Sequence, residues 1–101
     1  NTNSMPSDEY MMGQQNLAIE YRREMVGKTY RHFKGTLYLV ENIAVHSETG
    51  ELRVIYHNIY DDLLVWDRAL DMFLSPVDKE KYPDCTQELR FEQVKQDYLY
   101  T

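Results

Sequence analysis

Residues 28–57 read KTYRHFKGTLYLVENIAVHSETGELRVIYH, and this segment decides the fold. β-Branched and aromatic residues dominate on both sides of the tetrapeptide SETG (47–50). Such residues favour strands, and Gly50 can adopt the positive φ that tight hairpin turns require. The segment therefore predicts a hairpin between strands 36–46 and 51–57.

The turn also predicts the register of this hairpin. If Glu48 and Thr49 lie at its centre, the apolar face pairs Val45 with Leu52 and Ile43 with Val54. The polar face then pairs His46 with Glu51 and Ala44 with Arg53. A ribbon with one apolar and one polar face is typical of a half-buried antiparallel sheet.

A helix is predicted before the hairpin, over residues 8–26. Ser7 is a suitable N-cap, the first turn is acidic, and Leu17, Tyr21 and Met25 form an apolar stripe that ends before Gly27. Further strands are predicted at 29–33, 63–67 and 88–94, and a short helical turn at 69–74. We expect residues 1–7 to be a disordered start or tag remnant, residues 27–95 to form the β-domain, and residues 96–101 to be a flexible tail.

Composition excludes several classes of function. The chain of 101 residues has a net charge of −6, which makes nucleic acid an unlikely partner. Cys85 is the only cysteine, so an intramolecular disulfide or a cysteine-based metal cage is excluded. No apolar run is long enough to cross a membrane, and we expect a cytoplasmic protein without a cofactor.

Several fragments, taken in order, resemble the DUF1653 family of short bacterial and phage proteins of unassigned function. They are YRHFKG (30–35), HSETG (46–50), VIY (54–56), WDR (66–68) and RF (90–91). The resemblance spans about residues 28–91, although Ala69 stands where the family usually has proline. It implies a small, mostly antiparallel, barrel-like (SH3-like) sheet of about five strands, to which this chain adds its N-terminal helix. The resemblance implies no established activity.

A binding face for a small anionic or nucleotide-like ligand is the favoured functional interpretation. Basic residues are concentrated between Arg22 and Gly35 of an otherwise acidic chain, and lysine and arginine recognise phosphate and carboxylate groups. Aromatic side chains can add a flat wall, although for Tyr56 and Trp66 a place in the core is favoured. The predicted ligand-binding residues are His32, Lys34, His46, Glu48, Arg53, Tyr60, Trp66 and Arg68. Sequestration of a nucleotide signal, as phage proteins perform, is one version of this hypothesis.

Other functions stay open at this point. Three histidines (His32, His46 and His57) suggest a metal, but their spacing supplies no ligand set, and no metal site is predicted. A small hydrolase using Glu48 and His46 is the enzymatic alternative, and no catalytic residue is assigned. The third hypothesis is a protein-interaction domain, including a homodimer formed through the helix.

Overall fold

The computed structural model describes residues 5–95. Its elements are α1 (Asp8–Met25), β1 (Thr29–His32), β2 (Leu37–Val45), β3 (Leu52–Asn58), β4 (Asp61–Ala69), α2 (Leu70–Phe73) and β5 (Phe91–Gln93). Each predicted element is confirmed, with shifted ends, and β4 is four residues longer than expected. The proposed start at residues 1–4 and the tail at 96–101 lie outside the described residues. Within residues 5–95, neither helix combines the length and apolarity needed to cross a bilayer.

Helix α1 begins and ends where the local sequence predicts. The Ser7 hydroxyl accepts a hydrogen bond from the Tyr10 backbone N–H at 3.1 Å, which satisfies a free donor of the first turn. The helix ends as the Val26 N–H donates to the Arg22 carbonyl, and Gly27 follows with φ of 81°. Gly27 supplies the left-handed conformation that redirects the chain into β1.

The hairpin has the predicted register. Val45 pairs with Leu52, Ile43 with Val54, and Ala44 with Arg53. The turn is closed by hydrogen bonds from the His46 N–H to the Glu51 carbonyl and from the Gly50 N–H to the His46 carbonyl, both at 2.8 Å. A β-bulge at residue 41 then shifts the pairing of the two strands.

The five strands form an open antiparallel sheet in the order β4-β3-β2-β1-β5. The expectation of a barrel-like sheet is therefore wrong, and the SH3-like arrangement is not confirmed. Closure requires a ladder between the two edge strands. Among residues 5–95 no ladder joins β4 to β5: β4 pairs with β3 alone and the three-residue β5 with β1 alone.

One face of the sheet carries the core. Helix α1 buries Ala18 and Met25 against it, and α2 buries Phe73. The Phe73 and Phe91 rings stack with centroids 4.0 Å apart and an angle of 3° between their planes. Because an open sheet cannot bury its own face, these two helices and the segment after α2 must cover it.

The two aromatic residues expected in the core have different environments. Tyr56 is buried on β3, as expected. Trp66 pairs with Tyr56 across the β3–β4 ladder but is 52% exposed, so the core interpretation of Trp66 is wrong. The reason is that β4 is an edge strand, with a neighbour on one side only.

Candidate anion-binding site

Three of the predicted ligand residues line one pocket of about 360 Å³: His32, Lys34 and Arg68. His32 ends β1, Lys34 lies in the turn that follows, and Arg68 lies near the end of β4. Arg68 reaches this pocket because it occupies a core-facing position, opposite the buried Val54. Its guanidinium carbon lies 5.6 Å from the centroid of the Phe91 ring.

The segment between α2 and β5 adds two cations that the sequence analysis did not select, Lys81 and Arg90. Arg90 immediately precedes β5, which pairs with β1 so that Phe91 lies opposite His32. This pairing joins residues almost sixty positions apart in the chain. The fragment RF (90–91) was part of the family resemblance, and it was the available signal for Arg90.

Both arginines of the pocket are half-buried and have neutral hydrogen-bond partners. The Arg68 Nε donates to the Tyr56 hydroxyl at 3.3 Å, and the Arg90 Nε donates to the Ser75 hydroxyl at 3.2 Å. Among residues 5–95, no carboxylate lies within 4.0 Å of either guanidinium. Their terminal amino groups are therefore available to an anion.

Asp78 is the acidic residue that lines this pocket. Its Oδ1 accepts hydrogen bonds from the backbone N–H groups of Glu80, at 3.0 Å, and Lys81, at 3.3 Å. This carboxylate is thus engaged in a local turn rather than in an ion pair with either arginine. Four cationic side chains line the pocket against one carboxylate.

His32 is held in a defined orientation inside this cationic environment. Its Nδ1 accepts a hydrogen bond from the Lys34 backbone N–H at 3.1 Å, so the neutral ring carries its proton on Nε2. Burial, followed by the charges of Arg68, Arg90 and Lys34, lowers the pKa of His32 from its ordinary value of 6.5. Near neutral pH the ring is therefore an uncharged donor.

An open groove of about 820 Å³ adjoins the pocket. The two cavities share Phe33, Lys34, Lys81 and Tyr82. The rings of Phe33 and Tyr82 lie 4.9 Å apart, and the Nζ atoms of Lys34 and Lys81 each lie 5.5 Å from the Tyr82 centroid. An aromatic wall with attached cations suits a flat ring that carries an anionic group.

His46 and Glu48 do not line this pocket or the groove. The Nδ1 of His46 accepts hydrogen bonds at 3.2 Å from the backbone N–H groups of Glu48 and Thr49. These contacts stabilise the hairpin turn. His46 and Glu48 suggested both a binding face and a hydrolase, but the hydrogen bonds of the turn account for their presence at these positions.

The other predicted residues are also separate from the pocket. Arg53 forms ion pairs with Glu51 at 2.7 Å and Asp67 at 2.8 Å, and these hydrogen-bonded carboxylates raise its pKa. Tyr60 is 86% exposed between β3 and β4, and Trp66 lies on the edge strand. The structure therefore brings together three of the eight predicted residues.

The three histidines do not form one site. His57 Nδ1 lies 2.7 Å from the Glu41 carboxylate, whereas His32 and His46 have the separate environments described above. Within residues 5–95, no three His, Cys, Asp or Glu side chains are grouped closely enough to hold a metal ion.

Comparisons with known proteins agree with the resemblance in the sequence. A family described as a protein of unknown function, DUF1653, matches residues 28–93, about two thirds of the chain. No curated protein and no solved structure gives a significant match. The matched segment contains all five strands, together with His32, Lys34, Arg68 and Arg90. The chain therefore belongs to the DUF1653 family, whose shared segment carries both the sheet and the cationic pocket.

Proposed function

We propose that this protein is a non-enzymatic binding module for a small anionic, nucleotide-like ligand. The observation that carries this proposal is the pair of half-buried arginines, Arg68 and Arg90, that line one pocket and have neutral partners. His32, Lys34 and Lys81 complete the lining on the cationic side.

The charges that line the pocket favour an anion. Like charges brought together in a partly buried site repel each other, and partial burial weakens the screening by water. Burial is the larger cause of the lowered pKa of His32, and this local positive field lowers it further. A phosphate group would accept charge-assisted hydrogen bonds from both guanidinium groups and from His32 Nε2–H, and it would neutralise the field.

The adjoining groove supports a ligand with a flat ring as well as a charge. A phosphate between His32 and the arginines would leave the rest of a nucleotide next to Phe33 and Tyr82. Bases stack on such rings without a strict sequence preference. Sequestration of a nucleotide signal is one form that such binding would take.

Thermal-shift measurements with inorganic phosphate, mononucleotides, cyclic nucleotides and the matching nucleosides test this proposal. A ligand present at one hundred times its Kd stabilises a protein by about 2.7 kcal/mol. For a domain of this size that corresponds to an increase in Tm of roughly 10 °C or more. We expect phosphorylated compounds to raise Tm and nucleosides to leave it unchanged, because the phosphate supplies the charge that the pocket lacks.

Two pocket variants and one matched control locate the effect. R68Q and R90Q should each remove most of the ligand-induced shift. R23Q should retain it, because Arg23 is an exposed residue of α1 whose ion partner is Glu20. A panel in which no phosphorylated compound shifts Tm would refute the proposal, as would an equal loss of the shift in R23Q.

A further inference from the structure

Strand β4 presents an apolar edge to solvent. It pairs with β3 on one side and ends the sheet on the other. Leu63 is 87% exposed, and the three residues that follow it are each about half exposed. The exposed apolar run is Leu63, Leu64, Val65 and Trp66. Tyr60, just before β4, is as exposed as Leu63.

Such an edge is ready to accept another strand. Among residues 5–95 its outer N–H and C=O groups have no ladder partner, and proteins usually protect long edges with charges, proline or a covering element. The nine residues of β4 include aspartates near both ends, but residues 63–66 contain no charge and no proline. An exposed apolar patch of this kind marks an interaction surface.

We propose that this edge binds β4 of a second copy of the chain, antiparallel, about a two-fold axis that passes through Val65. In an antiparallel pair, two residues that face each other either both hydrogen-bond across the pair or both point their N–H and C=O groups away from it. These two states alternate along each strand. In a symmetric dimer one residue must therefore face its own copy, and the two-fold axis passes between them. Val65 then faces Val65, Leu64 faces Trp66, and Asp62 faces Arg68. Leu64, Val65 and Trp66 thus pair with one another, Leu63 lies opposite Asp67, and Asp62 and Arg68 are of opposite charge.

Neighbouring registers are less favourable. An axis through Leu64 places Asp61 opposite Asp67, which sets two like charges against each other. An axis through Trp66 leaves one pair of large apolar side chains, Trp66 with its own copy, because it places Val65 opposite Asp67 and Leu64 opposite Arg68; the axis through Val65 gives three such pairs. Since like charges directly opposite each other destabilise a sheet, the sequence of β4 selects the Val65 register.

Self-complementarity is the reason for choosing a second copy as the occupant. The same short segment supplies both halves of the interface, as a two-fold dimer requires. A pairing of two edge strands is a small interface, and small interfaces are typical of transient complexes, so we expect a weak dimer whose population rises with protein concentration. Arg68 lies at the periphery of this pairing, and its side chain can keep its position over Phe91.

Sedimentation equilibrium of two lysine variants tests both the dimer and its register. V65K places two lysines opposite each other at the axis, whereas L63K places each lysine opposite Asp67 of the other copy. Both changes add the same charge to an exposed site of β4. We expect V65K to raise Kd at least about tenfold and L63K to change it less than about threefold, because cross-strand charges repel in the first and attract in the second.

The results that overturn the proposal are distinct. A native chain that stays monomeric up to about 500 µM, well above the range of weak dimers, excludes the interface. Equal effects of V65K and L63K exclude the Val65 register. Dimerisation that is unchanged in V65K but lost in L17E would place the interface on helix α1 instead. Circular dichroism and Tm of each variant show whether the fold is retained.

Disulfide trapping gives a second measurement, which also detects a weak dimer because the covalent bond captures the complex as it forms. Residues directly opposite in an antiparallel pair have Cβ atoms about 4.5–5.5 Å apart, close to the separation in a disulfide. V65C in a C85S background should form covalent dimers under mild oxidation, and L63C in the same background should form far fewer. Equal cross-linking of the two variants would contradict the register.

Discussion

Replacing Phe73 by alanine should come close to unfolding the protein. The Phe73 side chain is 0% exposed although it belongs to a helix of four residues. It stacks on Phe91 and makes edge-to-face contacts with Tyr30 and Tyr56, both at 5.3 Å between centroids. Phe→Ala changes in cores cost about 3–5 kcal/mol, and aromatic pairs contribute about 0.5–1.5 kcal/mol beyond burial.

The expected loss is at the top of that range, about 4–5 kcal/mol, since three rings lose their partner at once. A domain of this size has a total stability of about 5–15 kcal/mol, so F73A should retain little of it. Helix α2 is too short to hold its place without this anchor. F73L, which keeps most of the apolar volume but loses the ring contacts, should cost about 2 kcal/mol.

Urea denaturation followed by tryptophan fluorescence and circular dichroism measures these changes. M72A is the matched control, because Met72 belongs to the same helix but is 46% exposed; it should cost less than about 1 kcal/mol. If F73A lost less than about 1.5 kcal/mol with an unchanged m-value, the aromatic stack would not be the anchor of this core.

Two further predictions concern a turn and a titration. Gly50 and Gly27 have nearly equal φ values, 78° and 81°. A Cβ atom added at Gly50 would lie 2.6 Å from Tyr10 Cε2, whereas a Cβ atom added at Gly27 would meet nothing within 4 Å. Both G50A and G27A should cost about 1–2 kcal/mol of left-handed strain, and G50A should cost up to about 1 kcal/mol more by urea denaturation, because the half-exposed Tyr10 ring must shift to admit the methyl group. In a Y10A background this difference should shrink; an unchanged difference would rule out the clash as its cause. The pKa of His32 is lower in the folded state than its ordinary value of 6.5, so between these two pKa values the unfolded chain binds more protons. The free energy of unfolding should therefore fall as the pH drops through 6.5, and it should level off below the folded-state pKa. H32Q should flatten this part of the pH profile of Tm, and an identical slope in both proteins would contradict the assigned environment.

Local signals predicted the elements and the central register. Alternation with a period of two residues, together with a glycine in the turn, fixes which side chains of the hairpin share a face. The N-terminus of α1 was equally predictable, because Ser7 caps it and acidic residues follow. In both cases the deciding contacts lie within a few residues in the chain.

Contacts between distant parts of the chain were not predictable in the same way. The run LLVW (63–66) has the same composition whether its strand is central or at an edge, so the exposure of Trp66 depends on topology alone. Likewise, nothing in the local sequence around Arg90 indicates that β5 pairs with β1 and carries Arg90 to His32. Of the basic cluster that the sequence did show, between Arg22 and Gly35, Lys34 lines the pocket, together with the neighbouring His32 and Phe33.

The open sheet accounts for both proposed binding surfaces. A closed barrel would pair β4 with β5 and would bury its core face inside, so it would have neither a free edge nor a need for a covering segment. In this fold the stretch between α2 and β5 packs beside the end of β1, and it delivers Lys81, Tyr82 and Arg90 to the pocket. The same lack of closure leaves residues 63–66 exposed at the opposite edge. The two surfaces share Arg68 but differ in their other side chains, so R90Q should remove most of the ligand shift without changing dimerisation, and V65K should do the reverse. If either variant abolished both properties, the two surfaces would be energetically coupled, and Arg68, which lines the pocket from β4, would be the residue that connects them.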